Sequence, residues 1–185
     1  MKILAISDLH LASEVNREGF AALPSFPGHW LILAGDIAER MGHLRAAFIA
    51  ATRRFEKVLW VPGNHELWAI PESGSRARPL AGEARYRALV EMAREHGVVT
   101  PEDPYPLWTG AGGPTIVAPL FLLYDYSFRP PHVAREQVAA WARERNSMCA
   151  DELFLDPHPW ESREAWCLER CRLTERRLAA LDPAL

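Results

Sequence analysis

Lys2-Ile-Leu-Ala-Ile-Ser-Asp-Leu-His10, Trp30-Leu-Ile-Leu-Ala-Gly-Asp36 and Val58-Leu-Trp-Val-Pro-Gly-Asn-His-Glu66 share one design: an apolar run that stops abruptly in polar residues able to do chemistry. Runs apolar at nearly every position are what strands buried on both faces of a parallel sheet require. Between the second and third, His43 to Phe55 sets Leu44, Phe48, Ala51 and Phe55 at helical spacing, with Arg45, Arg53 and Arg54 turned away. Strand, helix, strand in that order predicts a layered, mostly parallel α/β sheet. Ligands of such sheets gather at the carboxyl ends of the strands, so the three polar clusters are expected to meet in space.

Further along, a Pro, Gly, Ser and Arg cluster from Pro71 to Pro79 predicts a loop. Ala81 to His96 then carries Tyr86, Leu89, Val90 and Ala93 on one stripe and ends at Gly97, which predicts a helix. Prolines at 101, 104, 106, 114 and 119 forbid a long helix there, and Ala111-Gly112-Gly113-Pro114 predicts a turn joining strands at Leu107 to Thr109 and Thr115 to Ala118. Two more helices are expected, at Val133 to Arg145 and from the capping Ser162 to Leu181, before Pro183. No internal repeat or low-complexity tract interrupts the chain, and its 185 residues suit a single domain, 1–185.

The longest apolar runs, such as Leu31 to Ala34 and Ala118 to Leu123, fall far short of the roughly 20 residues that span a bilayer. The apolar start stops at Ser7 and Asp8, too early for a secretory signal, so a cytoplasmic location is expected. Cys149, Cys167 and Cys171 lack both an even count and knuckle spacing; they predict neither a disulfide framework nor a cysteine metal site, but small buried hydrophobes. A formal charge of -3 gives no reason for non-specific attraction to a phosphate backbone, which makes nucleic acid an unlikely partner.

Taken singly, each polar cluster is ordinary. Asp-x-His after a strand is commonly a turn or a salt bridge, and Gly with Asp or Asn makes turns everywhere. Three of them at three strand ends, in this order, point instead to a metal site. Asp8 and His10 stand two residues apart, so if strand geometry persists they share a face and can reach one ion. Carboxylate with imidazole suits Mn, Fe or Zn. Asp36 follows a glycine that permits close approach, and its two oxygens can bridge two ions. Asn64 would give its amide oxygen to the second ion, leaving His65 free to act on substrate.

With these blocks the sequence resembles the calcineurin-like metallophosphoesterase family, whose Asp-x-His, Gly-Asp and Gly-Asn-His-Asp/Glu motifs match Asp8-Leu9-His10, Gly35-Asp36 and Gly63-Asn64-His65-Glu66. The resemblance covers the first 66 residues by motif. It implies an α/β sandwich of mixed β-sheets flanked by helices, two divalent transition-metal ions with Asp8 and His10 on the first, Asp36 bridging and Asn64 on the second, and His65 at the scissile phosphate as the catalytic residue. The tract from Arg85 to Phe128 is similar, less specifically, to a bacterial subgroup of uncharacterised members.

The family pattern continues with a later His and a Gly-His-x-His block, which this sequence lacks. His29, His43, His96, His132 and His158 stand in other contexts and read as surface or helix-end histidines. The fold is therefore expected to be incomplete at its carboxyl end, with a missing segment or a partner chain completing the second ion's shell. The tryptophans read first as core, with Trp68, just past the third block, the exception that could line a substrate pocket. Arg163 to Arg177, interleaved with glutamates, reads as a solvated ion-paired helix face. The expected activity is hydrolysis of a small-molecule phosphate mono- or diester by a metal-bridging hydroxide. The alternative is an inactive remnant of the fold that serves as a binding or regulatory subunit.

Overall fold

The computed structural model of the protein describes residues 1–71, 74 and 77–182. The three apolar runs form one parallel sheet in the order β1 (Ile3–Ile6), β2 (Phe26–Ala34), β3 (Phe55–Val61). Its register sets Leu4 beside Leu31 and Leu31 beside Val58. Beyond β3, residues around Val99 continue the sheet: Val99 N–H donates to the Val58 carbonyl at 2.9 Å and Trp60 N–H to the Val99 carbonyl at 2.8 Å.

Side chains alternate across this sheet, and each face has its own cover. Leu31, Leu33, Val58 and Trp60 point into the main core, against Leu44, Ala47, Phe48 and Ala51 of α2 (Met41–Thr52) and Tyr86, Leu89, Val90 and Ala93 of α4 (Gly82–Glu95). Trp30 and Leu59 point the other way, where Trp108 covers them edge-on to Trp30 at 5.1 Å between ring centroids. Trp108 belongs to the antiparallel hairpin of β4 (Leu107–Trp108) and β5 (Thr115–Ile116). The result is helices, sheet and hairpin in layers, the mixed α/β sandwich the sequence predicts.

The helix at Ala81 to His96 forms within a residue of expectation, and the hairpin pairs two residues per strand instead of the three and four expected. The helix at Val133 to Arg145 is shorter: a 3-10 turn at Arg135–Gln137 leads into α5 (Val138–Arg143). Three further helices went unforeseen: α1 (Glu14–Ala21), α3 (Asn64–Leu67) and α6 (Asp151–Phe154). The last helix, α7 (Arg163–Ala179), begins where Ser162 accepts Ala165 N–H at 3.1 Å. Its ion-paired side does carry Arg172 and Arg176 with Glu169, but Arg170 is buried. Pro183 and part of the Pro71 to Pro79 stretch lie outside the described residues. Of the cysteines, Cys167 is buried, Cys171 half-buried and Cys149 exposed, so the expectation of a buried hydrophobe fails at Cys149. No helix among the described residues is long and apolar enough to cross a membrane.

Candidate metal centre

Three loops meet at the carboxyl edge of β1, β2 and β3, and main-chain bonds zip the first two together beyond the strand ends. Asp8 N–H donates to the Gly35 carbonyl at 3.1 Å, His10 N–H to Asp36 at 3.0 Å and Leu11 N–H to Ile37 at 2.9 Å. β1 stops at Ile6, however, and Asp8 (φ 56°) and His10 (φ 42°) both lie in the left-handed region. Persisting strand geometry, the reason given for their pairing, is therefore not what orients them. Asp36 shares this conformation at φ 53°. Backbone strain of this kind costs on the order of 1–3 kcal/mol per residue and collects at functional sites. Here it falls on three residues drawn from two of the motif blocks.

The glycines of the second and third blocks allow the loops to touch. Gly35 sits at φ +83°, and a Cβ there would lie 2.8 Å from Gly63 N. A Cβ on Gly63 would collide with the Asp36 carboxylate. Glu66, fully buried, fastens the same two loops: it accepts N–H groups from Asp36 at 3.0 Å, Ile37 at 2.6 Å and Gly63 at 2.8 Å. Burial pushes its carboxyl up to about 7, with those N–H groups pulling the other way. Arg85 of α4 holds the ensemble from below, donating to the carbonyls of Glu66 at 2.6 Å and Glu39 at 2.5 Å.

This scaffold brings one ligand atom each of His10, Asp36 and His65 within 4.8 Å of one another, all three half-buried. The two imidazoles meet edge-on at 4.5 Å. Between them lies Glu39, whose Oε1 stands 3.0 Å from His65 Nδ1 and 3.4 Å from His10 Nδ1. Burial opposes the Glu39 charge, but its own backbone N–H and the two imidazoles hold the carboxyl below the usual range. With Glu39 as carboxylate, Nδ1 of His65 carries a proton and Nε2 is left free. Glu39 Oε2 is buried and has no hydrogen-bond partner among the described residues. Two imidazoles and the Asp36 carboxylate converging on one point are a donor set that fits a divalent transition-metal ion, with Glu39 behind the imidazoles at their Nδ1 atoms.

Asp8 is exposed and stands outside that cluster, and His65, expected to face substrate only, stands inside it. Asn64 lies on the other flank, its amide Nδ2 donating to Asp151 Oδ1 at 2.8 Å. Asp151 also accepts Trp68 Nε1–H at 2.6 Å and the Tyr124 hydroxyl at 2.8 Å. Burial disfavours its charge, yet these donors hold its pKa below the usual value. Trp68, the tryptophan singled out in the sequence, stacks on His65 at 3.7 Å between centroids. Glu39 and Asp151 are the residues that sequence reasoning missed. Glu39 was findable as a carboxylate three residues past Asp36. Asp151, 87 residues from Asn64, left no signal.

A family model described as calcineurin-like phosphoesterase matches residues 1–166. The chain belongs to the calcineurin-like phosphoesterase family. Within it, the chain is 48% identical over 180 residues to an acyl-carrier-protein phosphodiesterase, PptH, of Mycobacterium tuberculosis, covering 96% of this chain and 55% of that protein. The crystal structure of the phosphopantetheinyl hydrolase PptH from the same organism superposes with a TM-score of 0.90 at 47% identity, over 98% of this chain and 64% of that one. This calcineurin-like phosphoesterase chain thus spans about half the length of the curated relative it matches. The family implies divalent metal ions, and the cluster of His10, Asp36 and His65 is where the donors stand.

Proposed function

We propose that this chain, as one domain over residues 1–185, carries the metal-binding part of a phosphodiesterase that releases a phosphopantetheinyl group from an acyl carrier protein. The carrying observation is the convergence of His10, Asp36 and His65 on one point of a fold shared, at 48% identity, with an acyl-carrier-protein phosphodiesterase. The expected small-molecule substrate thereby gives way to a protein-borne phosphodiester. Two ions of Mn, Fe or Zn are proposed, with Asp36 between them, His10 and Asp8 toward the first and Asn64 toward the second. When bound, such ions supply Lewis-acid polarisation of phosphoryl oxygens and lower the pKa of a coordinated water.

The chain's own groups do the rest. Asp36 orients by holding its carboxylate at the junction of the loops, fixed by His65 N–H at 3.1 Å. His65, held at Nδ1 by Glu39 and stacked on Trp68, presents Nε2 to the leaving oxygen; with a proton on both ring nitrogens it gives the Nε2 proton to that oxygen and is left neutral, still protonated at Nδ1. A cytoplasmic setting is proposed as well, and suits the free thiols of Cys149, Cys167 and Cys171.

Incubation of the Mn2+-loaded chain with phosphopantetheinylated acyl carrier protein, followed by intact-protein mass spectrometry, tests the reading. The carrier is expected to lose the mass of the prosthetic group, and Asp36→Ala is expected to abolish that loss. Undiminished turnover by Asp36→Ala would dispose of the mechanism. Tight Mn2+ binding with no turnover of the carrier or of an aryl phosphodiester would favour the binding or regulatory subunit.

A further inference from the structure

Asp151 lies on α6, far in sequence from every motif block, and is 1% exposed. Its two oxygens receive three donors from two segments: Asn64 Nδ2 and Trp68 Nε1, at the two ends of α3, on Oδ1, and the Tyr124 hydroxyl on Oδ2. An indole nitrogen only donates, so Oδ1 acts as an acceptor, and the Asn64 group against it is the amide N–H2. The carbonyl Oδ1 of Asn64 is then turned away from Asp151. Without such a partner an asparagine amide is free to present either end, and the N–H2 end repels a cation.

We propose that Asp151 is a positioning residue for the metal centre, locking the Asn64 amide so that its oxygen, never its nitrogen, is offered to an ion. The proposal rests on the reading of Asn64 as a ligand. The same oxygen, by holding Trp68, also sets the indole against which His65 stacks. Partners of this kind orient metal ligands, and their loss weakens metal affinity by about 10–100-fold.

The test is Mn2+ titration of the wild-type chain and of Asn64→Ala, Asp151→Ala, Asp151→Asn and the double alanine variant. Asp151→Ala is expected to weaken Mn2+ by about 10–100-fold. Asp151→Asn, whose remaining carbonyl oxygen still accepts from Asn64 and Trp68, is expected to stay close to wild type. The double variant is expected to bind no more weakly than Asn64→Ala, because the two residues act through one ligand. Wild-type affinity in Asp151→Ala, or full additivity in the double variant, overturns the proposal. Wild-type affinity in Asn64→Ala defeats the ligand reading itself, a separate failure.

A measurement on the unaltered chain covers the case in which Asp151→Ala does not fold. The asparagines are Asn16, Asn64 and Asn146, so selective 15N-asparagine labelling gives side-chain amide pairs that Asn64→Ala assigns. The Asn64 pair is expected to exchange slowly with water both without metal and with Zn2+ added. Exchange as fast as that of the exposed Asn146 overturns the proposal.

Discussion

Glu66 has no exposed surface, and its carboxylate takes backbone N–H groups from both the second and the third loop. Glutamine at that position keeps the size but replaces one acceptor with an N–H2 that faces donors. Leaving buried backbone N–H groups unpaired costs about 1–3 kcal/mol each. Glu66→Gln is therefore expected to lower the urea midpoint by the equivalent of about 2–3 kcal/mol and to weaken Mn2+ binding, although Glu66 stands outside the donor cluster. An unchanged midpoint would show that the loops hold their places without it. At this scale the meeting of His10, Asp36 and His65 at one junction of loops was legible, because each stands in a short motif at a strand end. The service of Glu66 was not: its partners lie about thirty residues earlier in the chain, and only the folded loops reveal them.

Among elements, α4 and α7 are joined through Glu102, which accepts the Tyr86 hydroxyl at 2.6 Å and pairs with Arg170 at 2.8 Å. The Arg170 guanidinium in turn lies over the rings of Tyr86 and Phe121, at 5.2 Å and 4.8 Å. Burial works against the Glu102 charge, but the Tyr86 hydrogen bond and Arg170 hold its carboxyl below the ordinary value of 4.5. A carboxyl lowered in the folded state contributes stability that is complete above its unfolded pKa and is lost as pH falls through its folded one. Melting temperature of the metal-free chain should thus decline on acidification below about pH 4.5. Glu102→Gln should melt lower at pH 7 and show a shallower decline between there and pH 3. Parallel profiles would assign the acid sensitivity to other carboxyls. The elements themselves were legible in proportion to their independence. α4 and α7 carry full apolar stripes or a capping serine, whereas α1 buries only Phe20, and α3 and α6 are single turns of four residues, too short to show a periodic pattern.

For the whole molecule, the sheet, its helical cover and the hairpin are built without the metal site, but the strained backbone at Asp8, His10 and Asp36 is held against its own preference. An ion bound only by the folded chain stabilises it by mass action, about 2.7 kcal/mol at a hundredfold excess over Kd. For a chain of 185 residues that corresponds to a rise in Tm of about 5–10 °C. Scanning calorimetry with and without Mn2+ should show this rise, EDTA should reverse it, and Asp36→Ala should abolish it. The variant also bears on where the strain resides. If its metal-free form melts higher than metal-free wild type, then removing a carboxylate whose charge opposes that of Glu66 has relieved the loops. The centre is in that case an electrostatic load that the fold carries until a cation arrives. If it melts lower, Asp36 is as much a strut for the third loop, through His65 N–H, as it is a ligand.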